Sequence, residues 1–209
     1  MVLVATDLTA VARIRNSALE LFANNGVAAT SIRDVAKDAG VSGGLVQYHF
    51  PSKAALRAEV NSYVVAIAND HFADLPETGS PFSIQQEVGD RVTSFVREHP
   101  TVLRYVARSA ADGDEGAMQI FDAFVAIAHA QWDRVAESGL LKDEADVTWT
   151  ALHGVVIPLA TVLFQRAIER HLPEPFFAPA QLDRWNAATN ALFREGMYRS
   201  DQPTGGGEQ

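Results

Sequence analysis

Three observations predict an all-α fold. Apolar residues recur at a 3.6-residue rhythm, as in Leu56, Val60, Tyr63, Val64 and Ile67, while no stretch shows the polar–apolar alternation of a half-buried strand. The rhythmic stretches are separated by segments rich in Pro, Gly and Asp, at 75–81, 99–100, 111–116, 138–144 and 173–179. Residues 31–53 read as two short helices joined by a tight Gly-Val-Ser turn, with a third helix starting behind them. At 209 residues, 47% of them hydrophobic, the chain is long enough for one large helical unit carrying a small one.

The turn region explains itself residue by residue. Ser31 can cap the first short helix, and Asp34, three residues on, can reach back to it. That capping box also sets negative charge beside a helix N-terminus. Ile32, Val35 and Ala36 share one face, and Ala36 is small enough for a second helix to cross closely. Gly40 can take the left-handed conformation that ends a helix. Val41 then plugs the angle, and Ser42 caps Gly43 to His49. So short a helix needs packing, which Val46 and Phe50 supply. Pro51 and Ser52 stop it and open a long helix at Lys53. This is the layout of a DNA-reading helix-turn-helix.

With these residues in view, the chain resembles the TetR family of bacterial transcriptional regulators. The likeness runs through Ala18 to Phe22, Asn25-Gly26, Thr30 to Ile32, Asp34 to Ala36, Ala39 to Ser42, Tyr48 to Phe50, Ser52-Lys53 and Leu56, roughly the first quarter of the chain. It departs in the reading helix: the family commonly has Thr-Leu-Tyr before an aromatic-His-Phe run, and here stand Leu45-Val46-Gln47 after Gly43-Gly44. The departures bear on which operator is read, not on the fold. The resemblance implies a regulator, usually a repressor, whose homodimer occupies a palindromic operator on double-stranded DNA. A small apolar or amphipathic effector in the helical body would shift the long helix from Ser52 and change the separation of the two reading heads. The expected architecture is an N-terminal three-helix helix-turn-helix DNA-binding domain (1–52), a larger helical ligand-binding and dimerisation domain (53–200) and a flexible tail (201–209).

In the reading helix, Gln47 can bond an adenine in bidentate fashion, Leu45 can meet a thymine methyl, and Tyr48 and His49 can reach a phosphate or a base edge. Gly43 and Gly44 each cost a helix about 1 kcal/mol relative to Ala. Either they let the backbone approach the duplex, or they ease a tight turn. Arg33, by the resemblance and by its place in the first turn of the supporting helix, is expected on phosphate or a nearby base; Lys53 and the amides of Ser31 and Ser42 are expected on phosphates. Charge is distributed to match. Residues 1–57 carry six cations (Arg13, Arg15, Arg33, Lys37, Lys53, Arg57) against four anions (Asp7, Glu20, Asp34, Asp38), or +2, which leaves −11 for the rest of a chain whose total is −9. An acidic body would repel the duplex and suppress loose association.

Beyond the head, helices are expected over 83–98, 101–111, 115–137, 143–171 with a kink at Pro158, and 180–199. The third is apolar on two faces and should be central. The last two are too apolar for solvated surface helices. Leu152, Val156, Leu159 and Leu163 of one, with Trp185, Leu192 and Phe193 of the other, can pair with their symmetry mates in a four-helix interface, or can pack within one subunit. Phe95, Tyr105, Phe121, Phe124, Trp132 and Phe164 make either an effector cavity or plain core. Trp149 and His153 stand one turn apart, as a ligand contact or a core pair.

Six histidines show no paired metal spacing and there are no cysteines, so no metal, cofactor or disulfide is expected. The absence of thiols fits a reducing cytoplasm. Met1 to Leu8, interrupted by Asp7, is too short for a signal peptide, and no apolar run is long enough for a membrane span. Two other readings compete: a helical enzyme, unsupported by any nucleophile elbow, phosphate loop or dinucleotide fingerprint, and a DNA-binding regulator answering to a protein partner.

Overall fold

The computed structural model describes residues 2–73, 81–113, 115–137, 139 and 141–197, and among them every regular element is helical. The expected loop at 75–80 and the tail at 201–209 lie outside the described residues. Three helices form the head: α1 (Val2–Asn25), α2 (Ile32–Asp38) and α3 (Gly43–His49). The body follows as α4 (Lys53–Phe72), α5 (Pro81–Glu98), α6 (Pro100–Asp112), α7 (Glu115–Glu137), α8 (Val147–Leu163), α9 (Gln165–Ile168) with a 3-10 turn at Glu169–His171, and α10 (Pro179–Met197).

Local chemistry sets the joints of the head. Ser31 Oγ accepts from the Asp34 amide at 3.2 Å while the Asp34 carboxylate accepts from the Ser31 amide at 3.0 Å, completing the capping box of α2. Ser31 Oγ also donates to that carboxylate at 2.6 Å, and this bond first and the Ser31 amide second hold the Asp34 carboxyl below the usual carboxylate range. At the other end Gly40 (φ +63°) donates to the Lys37 carbonyl and Val41 to the Ala36 carbonyl, the paired bonds of a Schellman turn. Ser42 and Ser52 cap α3 and α4 through the amides of Leu45 and Ala55. Arg13 of α1 donates to the carbonyls of Ala39 and Gly40, tying the turn to the first helix.

Packing then joins head to body without a break. Ile14, Phe22, Val35, Val46 and Leu56 belong to the same buried cluster as Phe95, Tyr105, Phe124, Val155 and Leu182. The ring of Phe22 stacks on Tyr105 at 6.3 Å, where α1 lies against α6. α4 buries Leu56, Val60, Val64 and Ala68 along one stripe, against α1 and α7. α7 is central, in contact with α4, α6 and α8, although its Met118 is exposed.

The expected single helix over 143–171 is corrected. Residues 143–145 form a turn, Asp146 caps α8 by accepting from the Trp149 amide at 3.0 Å, and the chain swings by 71° after Leu163 rather than at Pro158. Pro158 is buried inside a continuous helix. The swing falls at Phe164, which leaves helical geometry (φ −95°, ψ 12°), and the Glu169 carboxylate holds the returning segment by accepting from Gln165 and from the Phe176 amide. Among the described residues no single helix is long and apolar enough to cross a membrane.

Candidate nucleic-acid interface and ligand cavity

α3 presents Gly43, Gly44, Gln47 and Tyr48 to solvent, and Tyr48 is 77% exposed. Leu45 and His49 are half-buried beneath them, the imidazole packed edge-on to Tyr48 at 5.0 Å. Val46 alone of this helix is fully inside. Arg33 of α2 is exposed, and Ser42 stands at the exposed tip of the turn. The two glycines have no internal reason to be glycines. Neither has a positive φ, a Cβ on Gly43 would meet nothing within 4 Å, and one on Gly44 would only touch Ser42 Oγ at 4.0 Å. The turn depends on Gly40 instead, so easing a tight turn does not account for the pair.

Two expected phosphate contacts are corrected. Lys53 Nζ lies within hydrogen-bond distance of three carbonyls, of Val27 (2.9 Å), Thr30 (3.1 Å) and Ala28 (3.3 Å), which occupy all three of its donors. It closes the segment after α1 instead of reaching outward. The Ser31 amide is likewise committed to the Asp34 carboxylate. Sequence reasoning also missed Arg108 of α6, whose guanidinium donates to the carbonyls of Asn24 and Asn25 at 2.9 and 3.1 Å, and Arg104, which reaches Asn24 Oδ1. Both cap the C-terminal end of α1 from the body, but their acceptors lie some 80 residues away, beyond any local signal.

In the body, a cavity of about 100 Å³ opens between α5, α7, α8 and α10. Of the eight expected effector residues, Phe95, Phe124 and Trp132 line it, together with Phe72, Trp185 and Phe193, and no charged side chain does. Its polar groups are Gln131, Asn186, Thr189 and Asn190. Asn190 packs so closely on α5 that a Cβ at Gly89 would lie 1.9 Å from its Oδ1. The other five are elsewhere. Tyr105 is in the core under α1, its hydroxyl bonded to Asn61 at 2.6 Å; Phe121 is packed against the same core. Trp149, His153 and Phe164 lie on the outer side of α8 because Gly154, Val155 and Pro158 turn inward.

The expected interface set divides in the same way. Val156, Leu163 and Leu192 are exposed and Leu152 half-buried, while Leu159 is buried and Trp185 and Phe193 face the cavity. The exposed apolar side chains of α8 and α10 thus comprise Trp149, Val156, Leu163 and Leu192, with Phe164 at the end of α8.

A capped two-helix corner with a bare, glycine-led helix outward defines a helix-turn-helix protein. Residues 14–60 match the profile of bacterial regulatory proteins of the tetR family. The HTH-type transcriptional regulatory protein RaaS of Mycobacterium tuberculosis is 28% identical over 142 residues, 68% of this chain and 64% of that protein. The HTH-type transcriptional regulator AcrR of Shigella flexneri is 34% identical over 79 residues, 36% of each chain. Less than two thirds of the length of these curated relatives is matched. Among solved structures, a TetR regulator of Chloroflexus aurantiacus superposes with a TM-score of 0.72 at 17% identity, covering 94% of this chain and all of that one. FadR of Bacillus subtilis, in complex with stearoyl-CoA, gives 0.67 at 16% identity over 88% of this chain and 97% of its own. Residues 14–60 thus match the DNA-binding region of the tetR family, and the chain as a whole shares the fold of these solved regulators.

Proposed function

We propose that this chain is a transcriptional regulator which binds a palindromic operator as a homodimer through α3 and leaves it when a small molecule fills the body cavity. The observation that carries the reading is the outward face of α3, where Gly43, Gly44, Gln47 and Tyr48 are exposed without any internal packing need for the glycines. Residues 1–52 serve as the reading head and 53–200 as the effector-binding and dimerisation part. The contacts fall to Arg33, Ser42, Leu45, Gln47, Tyr48 and His49. A second copy covers the outer face of α8 and α10, because one seven-residue helix reads too few base pairs for specificity and a two-fold axis doubles the site. The expected half-site spacing is one helical turn of DNA or a multiple of it.

The effector class follows from the cavity. Its wall is largely aromatic and aliphatic and carries no charged side chain, so an uncharged, mainly apolar small molecule fits best. A ligand there touches Phe72 at one end of α4, whose other end carries Lys53 into the head, a span of about 30 Å. Displacing α4 therefore moves the heads. The site of action is the cytoplasm, where the chromosome lies.

The test is selection of bound sequences from random DNA with the purified chain, followed by a gel shift on the consensus. An inverted repeat is expected. Gln47→Ala should weaken binding by about 1 to 3 kcal/mol and relax preference at one base pair of each half-site. An unselective pool, or a consensus that Gln47→Ala leaves unaltered, would overturn the reading.

A further inference from the structure

Away from the cavity and the head, the fold brings His71, in the last turn of α4, against the adjacent pair Glu98, at the end of α5, and His99, just before α6. One ring nitrogen from each histidine and a carboxylate oxygen of Glu98 lie within 4.8 Å of one another. The imidazoles meet edge to face with 5.7 Å between centroids, and Phe95 packs on both at 5.0 Å, restricting their swing. Both histidines are half-buried; Glu98 is exposed, with only a 3.4 Å contact to its exposed neighbour Arg97.

Hydrogen bonding fixes the tautomer of His71. Ser94 Oγ donates to the Arg91 carbonyl at 2.9 Å, so toward His71 Nε2, 3.0 Å away, it can only accept. The Arg91 carbonyl, 3.1 Å from the same nitrogen, also only accepts. Nε2 therefore carries the hydrogen, and in the neutral ring Nδ1 holds the lone pair. An imidazole that gives one N–H to a backbone carbonyl and keeps the other nitrogen open has the orientation of a metal ligand.

We infer that His71, Glu98 and His99 form a three-ligand site for a borderline divalent cation of the zinc type, with the remaining position open to water. Two imidazoles and one carboxylate suit zinc or nickel better than magnesium or calcium, which take oxygen ligands. Tetrahedral zinc with bonds near 2.0 to 2.1 Å sets its ligand atoms about 3.3 Å apart, so the three groups must close by roughly 1.5 Å. The exposed Glu98 carboxylate can supply most of that movement. The bound ion would cross-link the ends of α4, α5 and α6 beside Phe72 and Phe95 of the cavity wall.

The test uses the full chain after chelator treatment, titrated calorimetrically with zinc chloride and followed by thermal melting. One equivalent should bind saturably and raise Tm. Glu98→Gln, at an exposed position that folding does not need, should weaken zinc binding at least about tenfold and abolish the rise, as should His99→Gln. Cobalt should give the intense visible absorption of a four-coordinate ion, and magnesium should not compete. Absence of saturation at one equivalent, equal competition by magnesium, or undiminished affinity in both variants would overturn the site. The last result would move the ion to other groups, such as the His129–Asp133 pair. None of these readouts depends on DNA.

Discussion

Replacing Gly43 and Gly44 together by alanine should make the protein more stable and a poorer DNA binder. Alanine exceeds glycine by about 0.5 to 1 kcal/mol within a helix, through the lower entropy of the unfolded chain. At the first two positions of α3 the lower end applies, which puts the pair near 1 kcal/mol. Nothing offsets that gain: the φ angles are compatible with alanine, and the added methyls meet open space at 43 and a single hydroxyl oxygen at 4.0 Å at 44. For a chain of this size 1 kcal/mol corresponds to a rise of about 2 to 4 °C in Tm. The same methyls project from the face offered to the duplex, where they prevent the backbone from approaching a groove wall. Binding to the selected consensus, measured by fluorescence anisotropy at fixed salt, should fall at least tenfold, or about 1.4 kcal/mol. A stabilised variant that binds DNA as well as the parent would refute the assignment of the glycines to the interface. A variant with lowered Tm would refute the claim that the chain itself does not need them.

Lys53→Ala should cost about 1 to 3 kcal/mol of stability by removing a charged donor from three carbonyls, and should leave the salt dependence of DNA binding unaltered; a slope lowered by about one would restore the lysine to a phosphate. Leu192→Glu, at a side chain 69% exposed, should leave the melting curve within a degree or two of the parent and convert a dimer to a monomer on size exclusion; an unaltered elution volume would take α10 out of the interface. Ser31→Ala should destabilise the protein at neutral pH and progressively less in acid. The folded Asp34 carboxyl titrates below its ordinary 3.8, so its contribution is complete above about pH 4 and is lost as pH falls through the lower folded value. Urea titrations at pH 7 and pH 3 that give the same difference between the two proteins would contradict this.

Much of the head was legible in the sequence because its joints are made by neighbours. Ser31 with Asp34, Gly40, Ser42 and Ser52 each act within three or four residues, and each does in the structure what its chemistry predicts. Lys53 was misread because its partners are carbonyls 23 to 26 residues back, brought under it only when α4 docks on α1. In α8 the difficulty was different. A helix apolar all round has no periodicity to say which side turns inward, so Phe164 and Trp149 read equally as cavity wall or as core and in the structure are neither; in α10, Trp185 and Phe193, which read as interface or as packing within one subunit, line the cavity. Pro158 signalled a bend, yet the swing occurs six residues later, where Glu169 supplies the acceptors that hold the chain back. His71 and His99 escaped notice for want of any short spacing.

The stacking of Phe22 on Tyr105 has a bearing on engineering. Truncation after residue 52 would strip that ring, with Leu19 and Ala23 nearby, of the surface it leans on, and would delete the arginines that close the helix behind it. This specificity element is therefore not a portable cassette. A chimera that transplants it must bring an equivalent aromatic platform and guanidinium pair in the recipient, or accept a donor fragment that melts on its own.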